Sequence, residues 1–98
     1  MMEQVIKLVI KDQTITKLAG YVLGRDLFKK QVEGKVDLNQ AFTIEFPPQI
    51  DFLASSFIQG FFGEINRAIG IDGVQKNMDI ISNVPNVKNR VVQGLMTQ

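Results

Sequence analysis

The residues best placed to do chemistry sit in the middle of the chain. Glu45, Asp51, Ser55 and Ser56 run from the end of an alternating segment, Ala41–Phe46, to the start of a strongly amphipathic one, Phe57–Ile69. Carboxylates can exchange protons or hold a hard cation. Serines ahead of a helix can cap it or accept a phosphate. A helix start presents free backbone N–H groups and the positive end of the helix dipole, so it favours an anion. Ser55 and Ser56 are therefore first of all candidate N-caps, and after that candidate phosphosites or anion-binding residues. Asp51 stands in the same turn. Two carboxylates at the spacing of Glu45 and Asp51 are common on solvated surfaces. No nucleophile or oxyanion donor set accompanies them as an acid–base pair.

A second pattern lies on the amphipathic segment itself. At helical spacing, Ser56, Gly60, Gly63 and Arg67 share a narrow sector of the polar side. Each helical glycine costs roughly 1 kcal/mol relative to alanine, and two on one stripe leave a smooth groove. Either a partner chain approaches the helix backbone there, or a neighbouring segment of the same chain does, or the glycines are tolerated drift. Asp51, Gln59, Gly60, Gly63 and Arg67 are the candidate interface residues.

The composition removes several function classes. The chain contains no histidine and no cysteine, which takes away the commonest general base, any thiol nucleophile, any disulfide and the usual zinc ligands. The 11 basic and 10 acidic residues are scattered, with no basic stripe to meet a phosphate backbone. No nucleic-acid partner, metal or other cofactor is expected. Gly20–Gly24 (GYVLG) lacks the lysine and serine of a phosphate loop, and Gly70–Gly73 is too short for a calcium loop. No apolar run approaches the ~20 residues of a membrane span. Met1–Lys11 carries Lys7 inside its short apolar stretch and lacks a small-residue cleavage site. A cytoplasmic, non-enzymatic, single domain over residues 1–98 is the expectation.

The elements that must position these residues are legible in outline. Val5–Ile10 is β-rich and suits a buried strand. Leu23–Val32 reads as a helix with Leu23, Leu27, Phe28 and Val32 inward, stopped by Gly34. Phe42, Ile44 and Phe46 alternate with polar residues in a second strand, which Pro47-Pro48 ends. Phe57, Ile58, Phe61, Phe62, Ile65, Ala68 and Ile69 fill one arc of the second helix, with Gly70 as its stop and Gly73 marking a short turn or helix beyond. Met78–Ser82 is a third strand. Pro85 suits the first turn of a last helix whose Val84, Val87, Val91 and Leu95 face inward. The order β-α-β-α-β-α predicts an α/β domain, a sheet with helices packed on it. Asp12–Val22 fits no pattern.

Ser55-Ser56-Phe57-Ile58, followed by Phe62-Gly63-Glu64-Ile65 and preceded by Ile44-Glu45-Phe46, resembles a family of small bacterial STAS-like domains of unknown function. Gly24-Arg25-Asp26-Leu27-Phe28 resembles the Gly-Arg segment of that family, and Asn83-Val84 the end of its third strand. The resemblance spans roughly residues 20–95, and the Ser-Ser-Phe segment is its specific part. It implies a STAS-like sheet and kinship with anti-sigma-factor antagonists, which change partners when a serine at the start of the corresponding helix is phosphorylated. Ser55 would occupy that place. The chain departs from the antagonist pattern at Ala54 and Phe57, where those proteins carry aspartate and glycine. It departs from the STAS-like pattern at Gln59 and Gly60, where two glutamates are usual. The implied role is a regulatory module contacting a protein, either an ATPase or kinase-like regulator or a second copy of the chain. The alternative is a small-ligand sensor that holds an anion or nucleotide at the same helix start.

Overall fold

The computed structural model describes residues 4–97 of the chain. Residues 1–3, at the start of the segment read above for a leader, and residue 98 lie outside them. Along the described residues run β1 (Gln4–Lys7), β2 (Lys17–Leu18), α1 (Tyr21–Gln31), β3 (Phe42–Glu45), β4 (Phe52–Leu53), α2 (Ser55–Asn77), β5 (Met78–Ile81) and α3 (Val87–Met96). The alternating α/β order predicted from the sequence is present, with two short strands added ahead of α1 and α2.

β1, β3 and β5 form a parallel sheet in that order, with Ile6 beside Ile44 and Ile44 beside Ile80. Each crossover steps to the next strand in the same direction. Parallel crossovers are almost always right-handed, which sends α1 and α2 to one face of the sheet. That face buries Phe42, Ile44, Phe46 and Met78. The opposite face carries Lys7, Thr43, Glu45 and Asp79, together with Val5 and Ile81, which are 42% and 53% exposed. Parallel sheets are usually covered on both faces, whereas among the described residues this one has an open face.

α2 is the central element and packs against both α1 and α3. Phe57, Phe61, Phe62 and Ile65 have no exposed surface. Phe61 stacks on Phe57 at 5.6 Å and meets Phe62 edge-on at 4.8 Å, while Phe46 of the sheet side touches all three rings. Burying each ring contributes about 1.5–3 kcal/mol, so this cluster dominates the core.

The boundaries depart from the sequence reading for local reasons. β1 leaves the sheet early because the Gln31 side chain brackets Val9, accepting from its N–H at 2.8 Å and donating to its carbonyl at 2.9 Å. α1 starts at Tyr21, after Gly20 with φ 109°, a conformation that favours glycine. This shifts its inward face, so that Leu23 is 41% exposed while Leu27, Phe28 and Val32 are buried. β3 ends ahead of Pro47 as expected. α2 breaks at Gly70, with φ 74° and ψ 169°, and a short second helix runs on to Asn77. Pro85 precedes α3 rather than joining its first turn, since Asn86 is the N-cap, in the left-handed region at φ 52°.

Candidate functional site

β2 and β4 bring the starts of α1 and α2 together. They pair in parallel, Lys17 beside Phe52 and Leu18 beside Leu53. The Asp51 N–H donates to the Thr16 carbonyl at 2.8 Å and the Ala54 N–H to the Leu18 carbonyl at 2.9 Å. Neither strand is long enough to show a sequence period, which is why Asp12–Val22 resisted assignment. Their effect is to set the first turns of both helices side by side.

Neither serine caps α2. The N-cap is Ala54, and no side chain bonds the first-turn amides. Ser55 opens the helix and is exposed. Ser56 is also exposed at its surface, but its Oγ accepts the Gly20 N–H at 2.9 Å. A hydroxyl expected to satisfy its own helix therefore satisfies the turn into the neighbouring one. Asp51 lies on the same end, 3.6 Å from Lys17 Nζ, with both side chains well exposed. Such a pair is worth little in water.

At Gly60 the glycine stripe is filled from within the chain. Gly60 and Gly63 are buried. A Cβ at Gly60 would sit on the Tyr21 carbonyl oxygen, and a Cβ at Gly24 would lie 2.6 Å from the Phe57 carbonyl oxygen and 2.7 Å from the Phe61 nitrogen. The two helices therefore cross with backbone against backbone, as paired small residues permit. This corrects the assignment of Gly60 to an interface with another chain, because α1 already occupies the space above it.

Farther along the stripe the surface opens. Gln59, Gly63 and Arg67 line a hollow of about 330 Å³ with Tyr21 and Asn66. Arg67 donates to the Tyr21 hydroxyl at 3.2 Å and stands 3.6 Å from the Glu64 carboxylate. These two partners, the hydroxyl first, hold the guanidinium above its ordinary pKa. Of the predicted interface residues, then, Gln59, Gly63 and Arg67 come together. Gly60 lies beneath the helix crossing, and Asp51 stands apart at the ribbon of β2 and β4.

Glu45 does not converge with Asp51. It pairs in register with Lys7 at the carboxyl ends of β3 and β1 and lines an open groove there with Phe46, Pro47 and Pro48. Among the described residues no group of His, Cys, Asp and Glu is disposed to hold a metal ion. Among them, too, no helix is long and apolar enough to cross a membrane.

Sequence reasoning missed the exposed apolar side chains at this end. Tyr21, Val22 and Leu23 are 39%, 57% and 41% exposed in the first turn of α1, and Phe52 of β4 is 41% exposed. Lys17 and Arg90 lie over the Phe52 ring, at 6.0 and 5.4 Å from its centroid. The signal was the apolar run Tyr21-Val22-Leu23 ahead of a glycine, read as a failed phosphate loop with Leu23 set inward in the helix that follows.

No family model, curated protein or solved structure matches this chain.

Proposed function

We propose that the chain is a non-enzymatic protein-interaction module of STAS-like type, and that its docking surface is the end of the molecule built from the first turns of α1 and α2. The observation that carries this reading is the run Tyr21-Val22-Leu23, exposed in the first turn of α1 and tied to the start of α2 through the Gly20–Ser56 hydrogen bond. Single exposed apolar residues are ordinary, whereas a contiguous group rimmed by polar ones marks an interaction site. Polar residues flank the run in sequence, with Arg25 and Asp26 following it along α1.

Ser55 is the modification site in this reading. Its hydroxyl is exposed on the first turn of α2, and a phosphate there would meet the positive end of the helix dipole beside the apolar run. Ser56 is the weaker candidate, because its oxygen already accepts a bond that a phosphate would have to replace. The partner is an ATPase or kinase-like regulator. The test is capture from the native host with wild type, with Val22→Glu plus Leu23→Glu, and with Ser55→Asp, the bait and prey phosphosites being read by mass spectrometry. A partner held by wild type and lost by the double variant supports the reading. Equal capture by wild type and the double variant ends it.

Self-association is a second reading, favoured by the uncovered sheet face with Val5 and Ile81 exposed on it. A sedimentation measurement of mass against concentration separates the two. A monomer at every concentration removes self-association and leaves the first reading untouched.

A further inference from the structure

The parallel sheet ends at β1 on one side and at β5 on the other. An outer strand turns the N–H and C=O groups of alternate residues away from the sheet. On β1 and its continuation these belong to Val5, Lys7 and Val9, because the Leu8 N–H donates inward to the Glu45 carbonyl at 2.9 Å. On β5 and its continuation they belong to Ile80 and Ser82, because the Ile81 carbonyl accepts inward from the Phe46 N–H at 2.9 Å.

The chain treats its two edges differently. Gln31 takes up both backbone groups of Val9. At the other end of β1, Gln4 accepts from the Asp37 N–H at 2.7 Å and donates to the Asp37 and Ala41 carbonyls at 3.0 and 3.2 Å. That ties the loop ahead of β3 to the strand, and Lys7 puts a charge on the stretch between. Covering loops and edge lysines keep other strands away. On β5 such cover lies at the Asp79 end, where Lys88 Nζ stands 4.0 Å from the Asp79 carboxylate and 3.3 Å from the Gln75 carbonyl. The backbone groups of Ile80 and Ser82 have no partner among the described residues. The Ile81 side chain between them is 53% exposed on the open face.

Hydrogen-bond geometry selects the occupant. Donors and acceptors repeating at every second residue of an extended chain fit another extended chain. We propose that the occupant is β5 of a second copy of this protein, paired antiparallel about a two-fold axis at Ile81. The Ile80 N–H then donates to the Ser82 carbonyl of the other copy, the Ile80 carbonyl accepts from its Ser82 N–H, and the symmetry repeats both bonds. Ile81 stands directly against Ile81 of the other copy, as a non-hydrogen-bonded pair, in which side chains approach closest. A foreign strand could take the backbone bonds, but covering Ile81 needs an apolar residue at the matching position, and β5 itself supplies one. The contact is self-complementary, as a two-fold contact must be, and with β1 bracketed it closes at two copies. This deepens the self-association reading above, moving the contact from the open face to a strand edge. It is independent of the docking surface at the helix starts. A ribbon this short buries less than the roughly 1,200 Å² of stable complexes, so its dissociation constant is on the order of 0.1–1 mM.

The test is amide hydrogen exchange of the full chain by NMR at about 20 μM and about 1 mM, with sedimentation at the same concentrations. At that affinity the Ile80 and Ser82 amides should exchange about two- to fourfold more slowly in the concentrated sample, while Val5 and Lys7 stay constant. Ile81→Lys sets like charges against each other across the axis and should abolish the slowing, its spectrum otherwise showing an intact fold. Val5→Lys, on the same open face but the other edge, should leave the slowing in place. A monomer at about 1 mM overturns the proposal. Mass that rises with concentration while Ile80 and Ser82 exchange at a constant rate also overturns it, yet leaves self-association through the open face standing. Slowing that persists in Ile81→Lys overturns the two-fold at Ile81 and with it the proposal.

Discussion

The two ends of the contact between α1 and α2 are built on opposite principles. At the near end the helices touch backbone to backbone through Gly24 and Gly60. At the far end, about two turns on, α1 has ended, and Phe28, Val32 and Ala68 line a hollow. The near end spends helix propensity to gain close approach, since each glycine costs roughly 1 kcal/mol against alanine. The far end keeps ordinary side chains and leaves volume unfilled. A small domain that packs every face this tightly would have no cavity, and one that packed none would have no fixed geometry around its cavity. Here the glycine crossing fixes the helices, and the hollow is what remains beside α2 where α1 ends.

The strongest way to break this comparison is to add carbon at both ends. Gly60→Val places a branched side chain against the Tyr21 backbone, where nothing flexible can yield. Overpacking of this kind is expected to cost about 3 kcal/mol or more, read as a fall in denaturation midpoint with unchanged slope. Gly24→Ala should follow the same direction, since its Cβ would lie 2.6 Å from a carbonyl oxygen. A gain in stability from either variant would mean that the helices are not in backbone contact.

At the open end the same operation should have the opposite sign. Ala68→Leu extends an exposed side chain over the apolar wall of the hollow. Burial of a few tens of Å² at about 25 cal/mol per Å² gives a gain of about 0.5–1 kcal/mol. A loss comparable to that of Gly60→Val would show the far end to be closed as well. Thermal or urea unfolding of the two variants side by side decides it.

The two serines sharpen the comparison at smaller scale. Ser56→Ala removes the acceptor of the Gly20 N–H and should cost about 0.5–1.5 kcal/mol, toward the low end because the site is exposed. Ser55→Ala removes an exposed hydroxyl and should stay within about 0.5 kcal/mol of wild type. Equal losses would return Ser55 to a structural role and weaken its place as the modified residue.

How much of this was legible depended on whether the cause was local. The face of α2 could be read from Phe57, Ile58, Phe61, Phe62 and Ile65, because burial on one side imposes a helical period. β3 could be read from the alternation of Phe42, Ile44 and Phe46. The break at Gly70 was also visible, because a glycine after an apolar period is a stop signal. By contrast, Ser56 bonds a residue 36 positions away, and no spacing rule reports that. Gly60 looked like one side of a contact, but its other side is the Tyr21 backbone, which the sequence does not place. Leu23 was set inward because the helix was started two residues late. β2 and β4 have two residues each, too few for any period, and yet they align both helix starts. The Glu64–Arg67 pair was present in the sequence at helical spacing, but the hollow beside it depends on where α1 ends against α2.

The smallest expected effect concerns pH, and it separates the open end of the helix pair from the loop beyond β1. Arg67 is held above its ordinary pKa by the Tyr21 hydroxyl and by Glu64. The stabilisation from a raised group is fully present below its unfolded pKa and is lost only as pH rises through the folded one. For a guanidinium that lies above any ordinary working pH, so the cation at the hollow is constant. Asp12 has the opposite sign. The Thr14 hydroxyl and N–H both donate to its carboxylate, at 2.6 and 3.0 Å, and hold its pKa below the ordinary value. A depressed carboxylate stabilises above its unfolded pKa and loses that contribution as pH falls through the folded one. The turn at Asp12–Ile15 should therefore loosen below about pH 4, while the shifts around Arg67 stay flat apart from any change at the neighbouring carboxylates. Amide shifts followed from pH 7 to pH 2.5 read both regions at once, and Asp12→Asn should remove most of the acid transition at Thr14. A transition at Thr14 that persists in Asp12→Asn would place its origin in another carboxylate and detach this loop from the comparison.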